Sequence, residues 1–373
     1  MTPKKILVIG AGPAGATIAR TFAEKDFFVE LIEARHHVAG NCYDKVNQYG
    51  HLLHNYGPHY FRTNSDDLLK WLSQFTEWIP GNYFVNAWVD QKEIPLPISL
   101  ATMEALKGKK FDVATFEAYL KEQRVSFPQI NNAEEQCLTL VGKELYEKVF
   151  KNYTIKQWGH HPRDLEPSLT ARIPLRFDHD KRYPSEKHQC LPKDGYTKLF
   201  ERILNHPNIH LALNHKMTPQ QILKNRHQYA AIFYTGPIDL FFSYCFGPLE
   251  YRSLRFEFET RLDRNFHLQT VQLNFPNDHE FTRVVETKHI TQQTVAGTTL
   301  CYEYPSAEGE PFYPMPKPSQ QLRYSSYKHL TVAEENHTNP IYFVGRLAEY
   351  RYYNMDHIFL RAQAVAQDAL KKF

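Results

Sequence analysis

The stretch 4-KKILVIGAGPAGATIARTFAEKDFFVELIEAR-35 decides the fold of the first part of this 373-residue chain. A short apolar run, KILVI, leads into a glycine-rich turn, and a stretch with helical periodicity follows. The turn has the pattern G-x-G-x-x-G, formed by Gly10, Gly12 and Gly15. Glycines at these positions let the backbone turn tightly and approach a pyrophosphate, while the following helix presents free N–H groups. The pattern predicts a strand–helix–strand unit that binds a dinucleotide.

Glu33 stands at the end of the second apolar run, FFVELI. A carboxylate at this place accepts hydrogen bonds from the two ribose hydroxyls of a dinucleotide. A phosphorylated ribose would be repelled by the carboxylate, so the acid favours FAD or NAD over NADP.

Composition excludes several classes of protein. Apolar residues make up 42% of the chain, charged residues 23%, and the net charge is only +3, which argues against a nucleic-acid or membrane-surface partner. No apolar segment approaches the roughly 18 residues that a membrane helix needs. The five cysteines are scattered without a C-x-x-C pair, and the nineteen histidines lack a metal-binding spacing. We therefore expect a cytoplasmic enzyme with no metal and no membrane insertion.

A helical region follows, from about residue 99 to residue 170. Asn132 and Glu135 form the pattern of a capping box, which marks a helix start. Apolar residues then recur at four-residue spacing, and this indicates one buried helical stripe: Cys137, Val141, Leu145 and Val149.

The remainder of the chain is rich in strands. The segments SLRFEFET and TVQLNF alternate apolar and polar residues, which is typical of antiparallel strands with one covered face. Near the C-terminus, PIYFVGR and a helix from about Asp356 indicate that the chain returns to complete the nucleotide-binding fold.

These patterns predict an α/β protein with three parts. A discontinuous Rossmann-like FAD-binding domain comprises residues 1–80, 198–240 and 340–373. A helical domain covers residues 99–170. An antiparallel β-sheet substrate domain comprises residues 81–98, 171–197 and 241–339.

Several separated motifs resemble one family, the bacterial UDP-galactopyranose mutases. The resemblance runs from the glycine fingerprint to the final helix, and its most specific parts are YTIKQWG and GRLAEYRYY. The other matching segments are YGPHYFRT, RIPLRF, GYT, TGPID, FTRVVETKH and PFYP.

The resemblance implies a flavin-dependent isomerase of cell-surface polysaccharide biosynthesis. Members of the family interconvert the pyranose and furanose forms of a nucleotide-diphosphate sugar without net redox change, through a covalent adduct between N5 of reduced FAD and the sugar. The most similar activity is conversion of UDP-galactopyranose to UDP-galactofuranose. A related substrate, UDP-N-acetylgalactosamine or dTDP-fucopyranose, is the alternative.

The resemblance also implies which residues form the site. It assigns catalysis to His59, Arg172, Arg283, Tyr313 and Tyr352, with the two arginines and the tyrosines on the substrate diphosphate. It assigns the cofactor to Gly10, Gly12, Pro13, Ala14, Gly15, Glu33, Ala34, Arg35, Gly40, Asn41, Tyr56, Gly57, Pro58, His59, Gly236, Gly345, Arg346, Tyr353, Asn354 and Met355. It assigns the substrate to Asn86, Phe150, Tyr153, Thr154, Trp158, Arg172, Tyr183, Asn274, Arg283, Tyr313 and Tyr352.

Five positions depart from the family pattern. Arg62 replaces a histidine near the Gly-Pro-His turn, and Asn354 stands where aspartate is common. Val149 replaces an aromatic residue beside the base, Asn152 replaces a glycine, and Ala39 interrupts a Gly-Gly-Asn segment. These departures leave the sugar and the base open.

The resemblance further implies a cellular flavin reductant as a partner, and a homodimer. Two other classes stay open. An amine-oxidase-like FAD oxidoreductase shares the nucleotide-binding start, but it has no use for paired arginines. A flavoprotein that binds a nucleotide sugar without turnover would show tight binding and no product.

Overall fold

The computed structural model describes residues 4–171 and 173–373. The strands, in chain order, are Lys5–Ile9 (β1), Phe28–Ile32 (β2), Asp44–Val46 (β3), Leu52–His54 (β4), Phe61–Thr63 (β5), Trp78–Pro80 (β6), Val85–Val89 (β7), Lys92–Leu96 (β8), His188–Pro192 (β9), Ile209–Ala212 (β10), Ala231–Tyr234 (β11), Tyr251–Arg261 (β12), Gln272–Asn274 (β13), Arg283–Val285 (β14), Thr298–Ser306 (β15), Tyr313–Pro314 (β16) and Ile341–Phe343 (β17).

The α-helices are Pro13–Ala23 (α1), Asp66–Leu72 (α2), Leu100–Lys107 (α3), Val113–Gln123 (α4), Ala133–Val141 (α5), Lys143–Leu145 (α6), Asn152–Trp158 (α7), Ser168–Ala171 (α8), Tyr196–Leu204 (α9), Pro219–Asn225 (α10), Ile238–Phe241 (α11), Lys288–Thr291 (α12), Pro318–Glu335 (α13) and Met355–Leu370 (α14). A π-helical turn, Tyr146–Lys151, leads directly into α7.

A parallel sheet in the order β10-β2-β1-β11-β17 forms the nucleotide-binding part. The interior of its central strand, β1, is buried because helices cover both faces of the sheet. The sequence of this strand is therefore a continuous apolar run. Val8 packs with Phe22 of α1 and Phe359 of α14 on one face. On the other face, Leu7 packs with Tyr327 of α13. The Rossmann-like α/β fold expected from the glycine fingerprint is confirmed.

The sheet draws its strands from the beginning, the middle and the end of the chain, so its sequence is discontinuous. Helix α13 contacts β17, although the predicted boundary at residue 340 separates them. The exact domain boundaries stay a prediction.

The helical region contains the predicted start at Asn132, whose side chain accepts a hydrogen bond from Glu135 N. The Glu135 carboxylate accepts from Asn131 N instead of closing the reciprocal half of the capping box. The predicted stripe is buried along its whole length, although Gly142 interrupts the helix between Val141 and Leu145.

A seven-stranded sheet, in the order β16-β12-β15-β14-β13-β7-β8, faces the nucleotide-binding sheet across the site. It is antiparallel as predicted, except that β7 and β13 pair in parallel. A smaller sheet, β5-β9-β6, follows the Gly-Pro-His turn and fixes its position. The turn therefore lies where these sheets approach one another.

Candidate active site

The glycine turn forms a cradle that leaves no room for a side chain at Gly15 or Gly40. A Cβ on Gly15 would lie 1.8 Å from Gly10 O, and a Cβ on Gly40 would lie 2.9 Å from Gly12 Cα. Gly12 is the N-cap of α1 and has no side chain to satisfy the first N–H groups of the helix. The cradle thus presents backbone N–H groups without a side-chain cap, and a pyrophosphate can approach these groups closely.

Glu33 lies beside this cradle at the end of β2, as predicted. Its carboxylate accepts hydrogen bonds from Ala11 N at 2.7 Å and from Arg35 N at 2.8 Å. Each carboxylate oxygen has a second lone pair, so both are able to accept from a ribose hydroxyl as well. The Arg35 side chain is held by Asn41 Oδ1 at 2.9 Å and lies over the Tyr56 ring.

A cleft of about 560 Å³ opens between the helical region, the seven-stranded sheet and the C-terminal edge of the parallel sheet. It is lined by most of the residues assigned to substrate and flavin. These are Tyr56, Pro58, His59, Phe150, Tyr153, Thr154, Trp158, Tyr183, Asn274, Arg283, Tyr313, Arg346, Tyr352, Tyr353, Asn354 and Met355.

The Gly-Pro-His turn is braced by a second histidine. His59 Nδ1 lies 2.9 Å from Gly57 O, and His59 N donates to His54 Nδ1 at 3.0 Å. Burial lowers the pKa of His59 to about 3 and that of His54 to about 4, so both rings are neutral near pH 7. His59 therefore carries its proton on Nδ1 and presents Nε2 as an acceptor.

Arg283 is the described cation that the structure places most firmly in the cleft. Its Nε donates to Glu303 Oε2 at 2.7 Å, and the two residues face each other across β14 and β15. The Glu303 side chain has no exposed surface. Burial raises the pKa of Glu303, and the Arg283 guanidinium lowers it in part. The pair leaves the other guanidinium nitrogens of Arg283 available to a phosphate.

Glu303 is the functional residue that sequence reasoning missed. Its Oε1 is buried without a hydrogen-bond partner among residues 4–171 and 173–373, and a Cβ built on Gly57 would lie 3.0 Å from this oxygen. The carboxylate therefore reaches from Arg283 to the Gly-Pro-His turn. The sequence does contain an indication of its role. Glu303 lies two residues after Cys301 and shares the buried face of the strand with it, and an acid at such a position is rarely tolerated without a partner.

Aromatic side chains form the floor of the cleft around Arg346. The rings of Tyr313 and Tyr352 stack with centroids 5.7 Å apart, and the Arg346 guanidinium lies 5.3 Å from each ring. Arg346 NH2 also donates to Tyr353 O at 2.9 Å. These contacts hold the Arg346 guanidinium in place and join it to the rings of Tyr313 and Tyr352 in one packed group.

Of the residues that the resemblance places at the base, Phe150 lies on the π-helical turn, Tyr153 and Trp158 lie on α7, and Asn274 lies on β13. Trp158 packs edge to face against Tyr313, with centroids 6.2 Å apart. Tyr153 is enclosed, and burial raises its pKa to about 12. Gly159, in the left-handed conformation, ends α7 directly after Trp158.

Asn86 was wrongly assigned to the substrate. Neighbouring residues Val85 and Ala87 face the cleft, and side chains alternate along a strand, so Asn86 points to the opposite face. Its amide donates to Glu93 Oε2 on β8 at 2.7 Å. Tyr83 lines the cleft from this segment instead, and its hydroxyl donates to Gln272 Oε1 at 2.8 Å. Arg172 lies outside the described residues.

The remaining cofactor residues lie around the cradle, away from the cleft. Gly345 has a φ of +108°, and a Cβ there would lie 3.3 Å from Ala14 Cβ. The others close around the same turn and the strand ends beside it: Pro13, Ala34 and Gly236.

The departures from the family pattern make specific contacts. Arg62 forms an ion pair with Glu186 at 3.0 Å on the cleft wall. Asn152 Nδ2 donates to Asn277 Oδ1 at 2.9 Å. Asn354 is the N-cap of α14 and makes no side-chain capping bond. Ala39 adopts a φ of +74°, a conformation in which glycine is less strained.

Residues 4–171 and 173–373 contain no group of three or more His, Cys, Asp or Glu side chains able to hold a metal ion. None of the helices in that part of the chain combines the length and the apolar content of a membrane span.

Comparison with known proteins identifies the family. The model of the UDP-galactopyranose mutase family matches residues 148–352, and that of NAD(P)-binding Rossmann-like domains matches residues 8–75. A probable UDP-galactopyranose mutase of Klebsiella pneumoniae is 37% identical over 99% of this chain and 96% of its own. This chain belongs to the UDP-galactopyranose mutase family. It is therefore an isomerase.

Other relatives show the breadth of this mutase family. A dTDP-fucopyranose mutase of Escherichia coli is 35% identical, with 98% of each chain covered. The crystal structure of a reduced UDP-galactopyranose mutase superposes with a TM-score of 0.76 at 15% identity, covering 99% of this chain and 96% of that chain. A putrescine oxidase superposes with a TM-score of 0.59 at 11% identity, so the fold is shared with oxidases.

Proposed function

We propose that this enzyme interconverts the pyranose and furanose forms of a nucleotide-diphosphate sugar, with UDP-galactopyranose as the first candidate substrate. The observation that carries the proposal is Arg283, which Glu303 holds in a cleft between the Gly-Pro-His turn and the aromatic residues of α7. Such a cleft joins a diphosphate site, a base site and a cofactor-facing turn.

The residues present fit FAD. The cradle offers backbone donors where the pyrophosphate would lie, and Glu33 stands where it would accept from the ribose. Asn354 leaves the first N–H groups of α14 without a side-chain cap at the edge of the cleft. When bound and reduced, FAD supplies the nucleophile that displaces the diphosphate from the anomeric carbon.

The side chains of the cleft perform binding and charge neutralisation. Arg283 pairs with the diphosphate, whose negative charge grows as the bond to the sugar breaks. The hydroxyls of Tyr313 and Tyr352 add neutral donors to the same group, and burial raises the pKa of Tyr313 to about 12. The Tyr313 hydroxyl therefore keeps its proton throughout the neutral range.

His59 acts as a neutral ring in this scheme. Its low pKa excludes an imidazolium beside the cofactor at neutral pH, so His59 shapes the cofactor face and accepts a hydrogen bond through Nε2. The backbone bond to His54 prevents the turn from moving away from the cleft.

The choice of sugar rests on similarity alone. The Klebsiella pneumoniae relative and the Escherichia coli relative, which act on different sugars by name, are almost equally similar to this chain, at 37% and 35% identity. UDP-galactopyranose therefore remains the first candidate, and dTDP-fucopyranose the second.

The oxidoreductase alternative is weaker. The fold alone accommodates an amine oxidase. However, an amine substrate is neutral or cationic, and Arg283 in the cleft would repel its cationic form. The homodimer and the cellular flavin reductant stay predictions.

Product analysis tests the proposal. Dithionite-reduced enzyme is incubated separately with UDP-galactopyranose, UDP-N-acetylgalactosamine and dTDP-fucopyranose, and the products are separated by anion-exchange chromatography. We expect a new furanose peak with reduced enzyme only. Flavin reduction by an amine, with no furanose from any sugar nucleotide, would establish the oxidoreductase alternative instead.

A further inference from the structure

Lys156, on α7, has an unusual set of partners. Its ammonium lies within hydrogen-bond distance of four main-chain carbonyls, those of Phe275, Asp278, His279 and Phe281, the last three at 3.0, 3.2 and 3.1 Å. Since an ammonium has three N–H groups, at least one of them is shared between two carbonyls. All four carbonyls belong to residues 275–282, which connect β13 to β14 and are called the clamp loop here. One ammonium therefore organises nearly the whole loop.

The clamp loop lies between two substrate residues. Asn274 ends β13 directly before it, and Arg283 begins β14 directly after it. Pro276 of the loop lines the cleft itself. A change in the loop conformation would therefore act at Asn274 and Arg283, the two substrate residues at its ends.

A second contact ties the loop to the start of the same helix. Asn152 Nδ2 donates to Asn277 Oδ1, and Asn277 Nδ2 donates to Lys148 O, both at 2.9 Å. This contact is exposed, whereas Lys156 is half-buried. Charge-assisted bonds in partly desolvated surroundings are the stronger ones, so Lys156 is the main tie.

The other side of α7 is anchored independently. Arg252 of β12 donates to Gln157 O at 2.9 Å and to Lys156 O at 3.2 Å, which satisfies the carbonyls at the end of the helix. Loss of the Lys156 side chain would leave these bonds intact. The helix would keep its position, and the clamp loop would be released from it.

We propose that Lys156 is a positioning residue that couples the base-binding helix to the diphosphate arginine through the clamp loop. The proposal rests on the proposed function, because it assumes that a nucleotide diphosphate spans α7 and Arg283. The ammonium touches neither substrate nor cofactor in this scheme. It sets the separation of the two groups that bind the two ends of the nucleotide diphosphate.

The charges around Lys156 give the coupling a pH dependence. Burial lowers the pKa of Lys156 to about 8, and the Asp278 carboxylate of the loop opposes this. Other titratable groups lie on the elements packed against it: Arg252 of β12, His279 and Glu280 of the loop, Glu303 of β15, and Glu147, Lys148 and Lys151 of the π-helical turn. Above its pKa the amine has only two N–H donors and no charge, so it holds the carbonyls less well.

The test uses the holoenzyme and UDP as the probe, with dTDP as a second probe. Lys156→Met keeps the length of the side chain and removes the ammonium. Lys151→Met is the matched control, since Lys151 lies one residue before α7 and pairs only with Glu147 among the described residues. Calorimetry measures the Kd between pH 6.5 and 9.5, and thermal unfolding is followed alongside.

We expect Lys156→Met to raise the Kd of UDP about tenfold at pH 7, the effect of losing a charged hydrogen-bond donor. Wild-type affinity should fall as the pH rises through about 8, whereas Lys156→Met should show weak affinity without that fall. In turnover, the KM should rise with kcat within about threefold of wild type.

The possible outcomes separate the two proposals. An equal Kd and an equal pH profile for wild type and Lys156→Met would overturn the role of Lys156. A lower unfolding temperature with unchanged Kd would do the same, since it would show a purely structural contact. Wild type that binds neither UDP nor dTDP would instead overturn the proposed function.

Discussion

The cradle around Gly10–Gly15 and the cleft around Arg283 are built in opposite ways. The cradle is one continuous stretch in which backbone atoms perform the binding and side chains are excluded. The cleft assembles side chains from the Gly-Pro-His turn, α7, five strands of the seven-stranded sheet and the start of α14. The first region tolerates almost no added atom, whereas the second depends on individual polar groups.

This difference explains which features the wider fold family shares. A backbone cradle suits any dinucleotide of suitable shape, and the putrescine oxidase shares the fold of this chain at 11% identity. The cleft carries the chemistry, because a diphosphate is recognised by charge and geometry at a few atoms. The predictions below test that contrast.

The largest effect is expected in the cradle. Gly15→Ala would place a methyl carbon 1.8 Å from Gly10 O, a clash that only a backbone shift relieves. We expect complete loss of bound flavin, measured by the absorbance ratio at 450 and 280 nm. Gly81→Ala is the control, because its Cβ would lie at an ordinary 3.4 Å from Tyr60 Oη. Flavin retained in Gly15→Ala would refute the backbone cradle.

A single polar change in the cleft should impair catalysis and leave the cradle intact. Arg283→Lys preserves the charge opposite Glu303 but removes the fork that pairs with a diphosphate, so we expect kcat/KM to fall about 100-fold. Flavin content should equal that of wild type. If the variant lost its flavin as well, the two regions would be coupled and the contrast would fail.

His54, which is buried, and His59, which is half-buried within the Gly-Pro-His turn, predict a dependence of stability on pH. The pKa of His54 falls to about 4 and that of His59 to about 3, both below the unfolded value of 6.5. Between these values the unfolded chain binds more protons, so stability falls as the pH is lowered through 6.5. Each histidine should cost about 2 kcal/mol between pH 6.5 and about pH 5.

Urea unfolding at a series of pH values measures this dependence. His54→Asn keeps an acceptor for His59 N but cannot titrate, so it should remove about half of the slope that the pair contributes. A slope equal to that of wild type would show that His54 is not neutral in the folded protein.

The smallest effect concerns the corrected assignment on β7. Because Asn86 faces away from the cleft, Asn86→Ala should leave KM within about twofold of wild type. Tyr83→Phe removes a hydroxyl from the cleft wall and should raise KM about threefold to fivefold. The reverse order of the two effects would restore the assignment of Asn86 to the substrate.

Local patterns predicted the parts of the site that local structure builds. Gly10, Gly12, Gly15 and Glu33 were predictable because one strand–helix–strand unit positions all four. The assignment of Asn86 differs from the structure because a strand places successive residues on opposite faces. An error of one position along β7 therefore moves a residue from the face that lines the cleft to the opposite face. Glu303 was missed because its interaction with Arg283 depends on the register between β14 and β15, which places the two residues opposite each other.

The sequence by itself determined the nucleotide-binding start, the buried helical stripe and, through separated motifs, the mutase family. Each of these depends on spacing along the chain, which periodicity records directly. Only the tertiary structure decided that Glu303 backs Arg283, that His54 holds His59, and that Lys156 binds the clamp loop. These contacts join residues between five and more than a hundred positions apart, and their strength depends on burial, which no local pattern encodes.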